Sequence, residues 1–437
     1  MNAPVRGFAT RMRPLSPRRS AIVAALDIGT SKVTCLIGRL KPAAEDGLMH
    51  GRSHAIEVIG FGHTRAYGLK AGMIADLAPA EEAIRNAVDM AERAAGMEII
   101  SVLVAFGGGR MGSESFAASV RLAGPRVEAG DIGRVLDAAS QHSVRNGRTV
   151  LHSLPLAYRL DQTDDIRDPR GMLGKTLAAD LHVITAEEAA LRNLMLCVER
   201  CHLSVEGVVA APYAAGLAVL SADEAELGAT VIDFGAGTTT AAVFAGGHCL
   251  HVDGIAIGGH HITMDLARGL LIRIPEAERL KTLHAAVLAG ASDEHRMITI
   301  PVIEGAGREA PGTASLGQLV RMACPRAEEI LEMLRERLRT ANVLGPASRR
   351  IVLTGAAAEL TGLVELAGRM FKTTARLGRP LGVAGLNEEA RAPAFAAACG
   401  LLVYPQFAAR EHFERRRRHG GDGSYLVRVG RWLQESF

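Results

Sequence analysis

No apolar run in the 437-residue chain approaches the roughly 20 residues that span a bilayer, so no membrane-crossing helix is expected. The first twenty residues hold five arginines and no acid, and their one apolar stretch is too short for a secretory signal. They read as a disordered basic tail on a cytoplasmic protein. Paired cysteines are missing too. The six cysteines stand singly except for Cys197 and Cys201, one helical turn apart beside His202. With no second pair, reduced and partly buried thiols are the better reading than a metal or redox site. A broad basic face is also lacking. The net charge of +3 divides into +5 on residues 1–20, +3 on residues 405–437 and −5 on the body between them. That distribution argues against a nucleic-acid partner and leaves room for attraction of the ends to anionic lipid.

What the chain does have is the same phrase twice. DIGTSK (Asp27–Lys32) follows the apolar strand 21–26, and DFGAGTTT (Asp233–Thr240) follows the strand 229–232. A third glycine turn, LTGAAAEL, begins at Leu353 after another short strand. An aspartate closing a strand can hold hydrated Mg²⁺, and the Gly-Thr turn behind it can close around phosphate oxygens. Alone, Asp-x-Gly is an ordinary β-turn. Three such turns in this order resemble those of the actin-like ATPase superfamily, with two phosphate loops and an adenosine loop. Asp27 and Asp233 are then expected to flank Mg²⁺ and the attacking water from opposite lobes. Gly29, Gly235 and Gly237 would shape the turns. Thr30, Ser31, Thr238 and Thr239 would donate to the phosphates of ATP, and Lys32 would neutralise their charge. Gly258 and Gly259 read as a close backbone approach, and His260 and His261 as polar loop residues. Glu278 and Lys281, at i,i+3 on one helix, would reach the ribose and adenine edge. Gly355 and Ala356 would complete the adenosine loop.

The pattern along the chain predicts an α/β protein of two large repeated lobes with a small α+β insertion in the first, and the actin-like resemblance implies that the lobes are duplicated and ribonuclease-H-like. After the tail, the first lobe takes residues 21–106 and 182–208 around an insertion at 107–181. The second lobe takes 209–257 and 336–404 around a helical subdomain at 258–335. A glycine-containing linker at 405–423 follows. Within this scheme, 76–96 is an amphipathic helix ended by Gly96, and His182–Thr185 is a strand that returns to the first lobe.

The actin-like resemblance implies an acid, Gln or Thr on the mid-chain strand-to-helix turn to position the water, and none is found. The mid-chain turn VAAPYAAG (Val209–Gly216) offers Ala210, Ala211 and Pro212, none of which can position water as a base. Slow hydrolysis is expected, with the nucleotide acting mainly as an assembly switch. At the C-terminus, a helical projection of residues 424–437 gathers Tyr425, Leu426, Val429, Trp432, Leu433 and Phe437 within an arc of about 140°. Four consecutive arginines, Arg415–Arg418, precede it. This reads as an interfacial membrane helix too short to hold alone, which implies self-assembly.

Together these residues resemble the FtsA family of bacterial cell-division actin homologues over nearly the whole chain, from about residue 21. AYGLKAGMIADLAPAEEAI, DPRGMLGKTL and LTGAAAEL carry the likeness. Ala356 stands where the family's loop has a second glycine. The resemblance implies head-to-tail filaments on the cytoplasmic face of the inner membrane at the division septum. It also implies binding of the C-terminal tail of FtsZ through the subdomain at about 258–335, and recruitment of other division proteins. The rival readings are a pilus-assembly homologue of the PilM type, which needs no amphipathic tail, and a metabolite kinase, which needs a carboxylate base. A DnaK-type chaperone needs a peptide-binding domain larger than the remaining tail.

Overall fold

The computed structural model describes residues 14–43, 49, 51–108, 110–140, 146–290, 292–304, 308–345 and 349–412. The first lobe opens with an antiparallel meander, β1 (Ala21–Ile28), β2 (Lys32–Pro42) and β3 (His54–Arg65), and a small hairpin, β4 (Leu69–Lys70) and β5 (Met73–Ile74). Helix α1 (Leu77–Ala95) then crosses to β6 (Ser101–Phe106), which runs parallel to β1. Asp76 holds the N-cap position of α1, and Gly96 ends it in the left-handed region at φ 65°. Ile84, Val88 and Ala91 are all buried against the sheet, as the amphipathic pattern requires.

The insertion follows as β7 (Gly112–Arg121), α2 (Ala129–Ser140), β8 (Arg148–Leu160), β9 (Thr163–Ile166) and β10 (Thr176–Glu187). Its sheet has the order β7-β10-β8-β9 and carries its own small core, including Val135, Leu177, Leu181 and Val183. Here the structure corrects one expectation. His182–Thr185 does not return to the first lobe, because β10 continues through these residues and pairs with β7 as far as Thr185 opposite Gly112. The chain rejoins the first lobe through α3 (Glu188–Glu199) and β11 (Ser204–Ala210), parallel to β6, then passes through α4 (Ala211–Val219) and α5 (Ala222–Leu227).

The second lobe repeats the first. β12 (Ala229–Phe234), β13 (Thr239–Ala245) and β14 (His248–Ile255) form the meander. The excursion holds α6 (Gly259–Leu270), α7 (Ile274–His284), β15 (Met297–Glu304), β16 (Arg308–Ser315) and α8 (Leu316–Thr340). It was expected to be helical, yet β15 and β16 pair as an antiparallel ribbon, with Pro301 opposite Pro311. A two-stranded ribbon tolerates proline because neither strand has a second neighbour needing its amide. β17 (Arg350–Thr354), α9 (Leu363–Phe371), β18 (Thr374–Leu377), β19 (Val383–Ala384) and α10 (Ala396–Val403) complete the fold. The strand order β14-β13-β12-β17-β18 matches β3-β2-β1-β6-β11, so the duplication extends to topology.

Two helices without a polar face, α4 and α10, cross between the lobes. Their backbones touch: a Cβ on Gly400 would lie 1.8 Å from the Ala214 carbonyl oxygen. Residues 396–404, grouped above with the second lobe, are buried in the first lobe's core with Leu26, Leu36 and Leu103. β19 likewise pairs with Ile56 and Glu57 of β3. Residues 405–412, expected to be linker, are docked. Pro405 is buried, and the Gln406 side-chain carbonyl accepts from the amides of Ser53 and His54 at 2.8 and 2.9 Å. The rest of the linker and the amphipathic segment 424–437 lie outside the described residues, as do residues 1–13 of the tail. No helix among the described residues is long and apolar enough to cross a membrane.

Candidate nucleotide site

The two aspartate turns are built alike. The Gly29 amide donates to the Lys32 carbonyl at 2.9 Å, and the Gly235 amide donates to the Thr238 carbonyl at 3.0 Å. In register, Asp27 lies opposite Thr34 and Asp233 opposite Thr240. The turns face each other across one cleft, where Asp27, Lys32, Asp233 and Thr238 come together. Thr30 accepts from the Gly72 amide through Oγ1 at 3.1 Å, which leaves its hydroxyl proton free to donate into the cleft. Gly29, Thr30, Ser31, Gly235, Gly355 and Ala356 also line the cleft. Gly237 does not line it; it sits against the Thr30 side chain.

Electrostatically the cleft floor is short of positive charge. Among the described residues, neither the Asp27 nor the Asp233 carboxylate has a hydrogen-bond or ion-pair partner. Each keeps a little surface toward the cleft, but protein surrounds it. Burial pushes the Asp27 carboxyl above its ordinary range, opposed by Lys32. Burial, reinforced by the charge of Asp27, pushes Asp233 up to about 7. Lys32 is lowered to about 8 by burial, against the pull of both aspartates. Its ammonium rests 3.3 Å above the centre of the Phe395 ring, a cation–π seat at the cleft's edge. Two facing, unpaired carboxylates suit a divalent cation held through water. No cluster of three or more His, Cys, Asp or Glu side chains that could cage a metal directly occurs among the described residues.

Thr239 departs from its expected role. It is fully buried, and its hydroxyl donates to the Ile257 carbonyl at 2.8 Å. Side chains alternate along β13, so Thr238 and Thr240 face the cleft while Thr239 points the other way. Thr240 thus takes the cleft-facing place expected of Thr239. Gly72, Gly107, Ala236 and the Pro393–Ala397 segment line the cleft with no local motif to announce them. Ala211 lines it from the mid-chain turn, where no acid, amide or hydroxyl stands.

Gly258 and Gly259 do make a close approach. The Gly259 amide donates to the Gly235 carbonyl at 2.9 Å and that of His260 to the Ala236 carbonyl at 2.8 Å, pinning the start of α6 to the second turn. Glu278 and Lys281 are paired at 2.8 Å, and Lys281 also donates to the Gly259 carbonyl at 3.2 Å and to Thr263 at 2.9 Å. They stand beside the cleft and do not line its phosphate end. Gly259 also abuts Ala357, just after the third turn, so α6, α7 and that turn share one corner.

Two duplicated sheets clasping such a cleft define the actin-like class. Solved structures agree on the fold. The chain resembles the PilM–PilN type IV pilus biogenesis complex (TM-score 0.59, 16% identity, 88% of this chain and 98% of that one). It also resembles MreB5 of Spiroplasma citri bound to ADP (TM-score 0.52, 14% identity, 89% and 97%). Family models match residues 230–400, described as cell division protein FtsA, and residues 108–185, described as an SHS2 domain inserted in FtsA. The cell division protein FtsA of Agrobacterium fabrum is 49% identical over 431 residues, covering 98% of this chain and 97% of that protein. The chain belongs to the FtsA family of cell division proteins, and the PilM likeness is one of fold.

Proposed function

We propose that this chain binds Mg·ATP between its lobes and uses it as an assembly switch for a membrane-bound polymer. The observation that carries the reading is the pair of matched turns that brings Asp27 and Asp233 to one cleft floor. Both would hold Mg²⁺ through water. Thr30, Ser31, Thr238 and Thr240, with the turn amides, would receive the phosphates. Lys32 would leave its seat on Phe395 to meet their charge. The nucleoside would lie toward Gly355, Ala356, Gly259 and Lys281. Bound cation and phosphate together supply the charge that two carboxylates and a lysine otherwise lack. MreB5, which shares the fold, was solved bound to ADP. Because Ala211 faces the cleft in place of a water-positioning side chain, hydrolysis is slow and the bound nucleotide persists.

On this reading the chain polymerises head to tail on the cytoplasmic face of the inner membrane, at the septum. It holds there through Tyr425, Leu426, Val429, Trp432, Leu433 and Phe437. It tethers FtsZ filaments through the subdomain at 258–335 and recruits later division proteins. The test is co-sedimentation with anionic liposomes, comparing the full chain with one ending at Gly423, with and without ATP. Pelleting of the full chain alone, increased by ATP, is the expected result. If both chains stay in solution, the membrane reading fails.

A further inference from the structure

Strand β8 carries the sequence His152-Ser153, an imidazole with no solvent exposure in a strand of the insertion's sheet. A buried imidazole needs partners for both nitrogens, and here each partner comes from a different part of the chain. Nε2 accepts from the amide of Ala210 at 2.9 Å, so the ring proton sits on Nδ1 and donates to Glu411 Oε1 at 2.9 Å. The two side chains are 0% and 1% exposed. Tyr213 and Tyr404 close around the ring edge-on, with centroids 5.1 and 5.8 Å away. The next residue strengthens the attachment. His412 donates its amide to the Ser153 carbonyl at 2.9 Å, and its Nε2 lies 2.8 Å from Asp137 Oδ1 on α2.

Each contact has a position that matters. Ala210 ends β11, and the next residue, Ala211, lines the cleft. Glu411 and His412 are the last described residues before the segment that holds Arg415–Arg418 and the apolar face of 424–437. One imidazole thus joins the mid-chain turn of the cleft, the insertion, and the root of the C-terminal tail. For fold stability alone, an apolar group of similar volume would serve as well as a buried hydrogen-bonded pair. The polar link does one thing an apolar group would not: it hydrogen-bonds the end of β11 to Glu411 through a single ring.

We propose that the Ala210–His152–Glu411 chain is a strap that couples occupancy of the cleft to the attachment of the C-terminal tail's root on the insertion. The proposal rests on the nucleotide reading above. A ligand that shifts the Ala210–Ala211 turn changes the bond to His152, and with it the hold on Glu411. Linkage makes the effect reciprocal, so loosening Glu411 changes affinity at the cleft by the same factor. A side chain outside the cleft then sets nucleotide affinity, and nucleotide sets how firmly residues 405–412 are held.

The experiment is hydrogen exchange by mass spectrometry on the full chain with and without Mg·ATP, with ATP affinity measured by calorimetry, for wild type and Glu411→Gln. The amide form keeps the volume and loses the charge-assisted bond, so it guards against simple unfolding; a melting curve checks this. The expected result is an ATP-dependent change in exchange across 405–412 in the wild type. It is lost in Glu411→Gln, whose ATP affinity shifts about 5-fold or more. A merely structural pair would lower the melting temperature and leave both the ATP dependence and the affinity unchanged, which overturns the proposal. Wild-type binding of ATP with no change at 405–412 overturns it too, with the nucleotide reading intact. If neither chain binds ATP, both readings fall.

Discussion

Gly237 is seated directly on Thr30: a Cβ at Gly237 would lie 2.5 Å from the Thr30 hydroxyl oxygen and 2.7 Å from its methyl carbon. The contact joins one aspartate turn to the other, so the gap between the lobes is set by the absence of a single carbon. Gly237→Ala must therefore wedge the turns apart. Overpacking at a close contact costs about 1–3 kcal/mol. Here the cost falls on the closed cleft, so ATP affinity is expected to drop about 10-fold or more while the far-ultraviolet spectrum stays unchanged. Calorimetric titration with Mg·ATP checks this.

The two facing carboxylates give the ATP-free protein a pH signature. Asp233 has its ordinary value, near 3.8, when unfolded and about 7 when folded. Between these the folded state holds a proton that the unfolded state has released, so stability falls as pH rises from about 4 to 7 and levels off above. The loss is on the order of a few kcal/mol. Asp233→Asn should flatten that slope and raise the melting temperature at pH 7.5 without nucleotide, while removing the stabilisation by Mg·ATP. Thermal melts across pH 4.5–8 in the two backgrounds test it. An unchanged slope in the variant would remove Asp233 as its source.

Lys281 ties α7 to the start of α6 through Gly259 and Thr263. Lys281→Ala leaves the Gly259 carbonyl without that donor and Glu278 with only the Thr263 hydroxyl, at a cost of about 1–2 kcal/mol. Affinity for ATP is expected to fall by about that amount, with inorganic triphosphate much less affected because the phosphate turns are untouched. Equal losses for both ligands would show that Lys281 acts on the cleft as a whole.

Gly400 is the tightest point of the α4–α10 crossing. Gly400→Ala forces two buried helices apart along their backbones, and neither can give without moving a lobe. A loss of about 3 kcal/mol or more is expected, well above the usual range for an alanine substitution in a helix. Urea denaturation measures it. A change below about 1 kcal/mol would mean that the lobes adjust freely at this crossing.

What the sequence disclosed was local. The aspartate turns, the meanders that follow them and α1 with its Gly96 terminus are written in short-range pattern, and the structure places them as that pattern requires. The misreadings come from partners distant in sequence. MITIPVIE alternates as a strand should, but it lies inside a stretch read as helical, and its partner begins only at Arg308. Thr239 and Thr240 are chemically the same, and only the pairing of β13 with its neighbours assigns one to the core and the other to the cleft. Charge and glycine content across 405–423 made the whole stretch read as linker. Gln406, Glu411 and His412 find their partners at Ser53, His152 and Asp137, which no window around residue 410 contains.

The burial of α10 and Tyr404 in the first lobe's core has a consequence during synthesis. β1, β2 and β6 leave the ribosome early, but the helix that covers them is encoded some three hundred residues later. Until it emerges, the nascent first lobe exposes the apolar surface that Leu401, Leu402 and Val403 will occupy. The chain thus folds with its beginning waiting on its end. Fragments that stop before residue 396 should need chaperone protection and aggregate without it, even when their own sheet is complete.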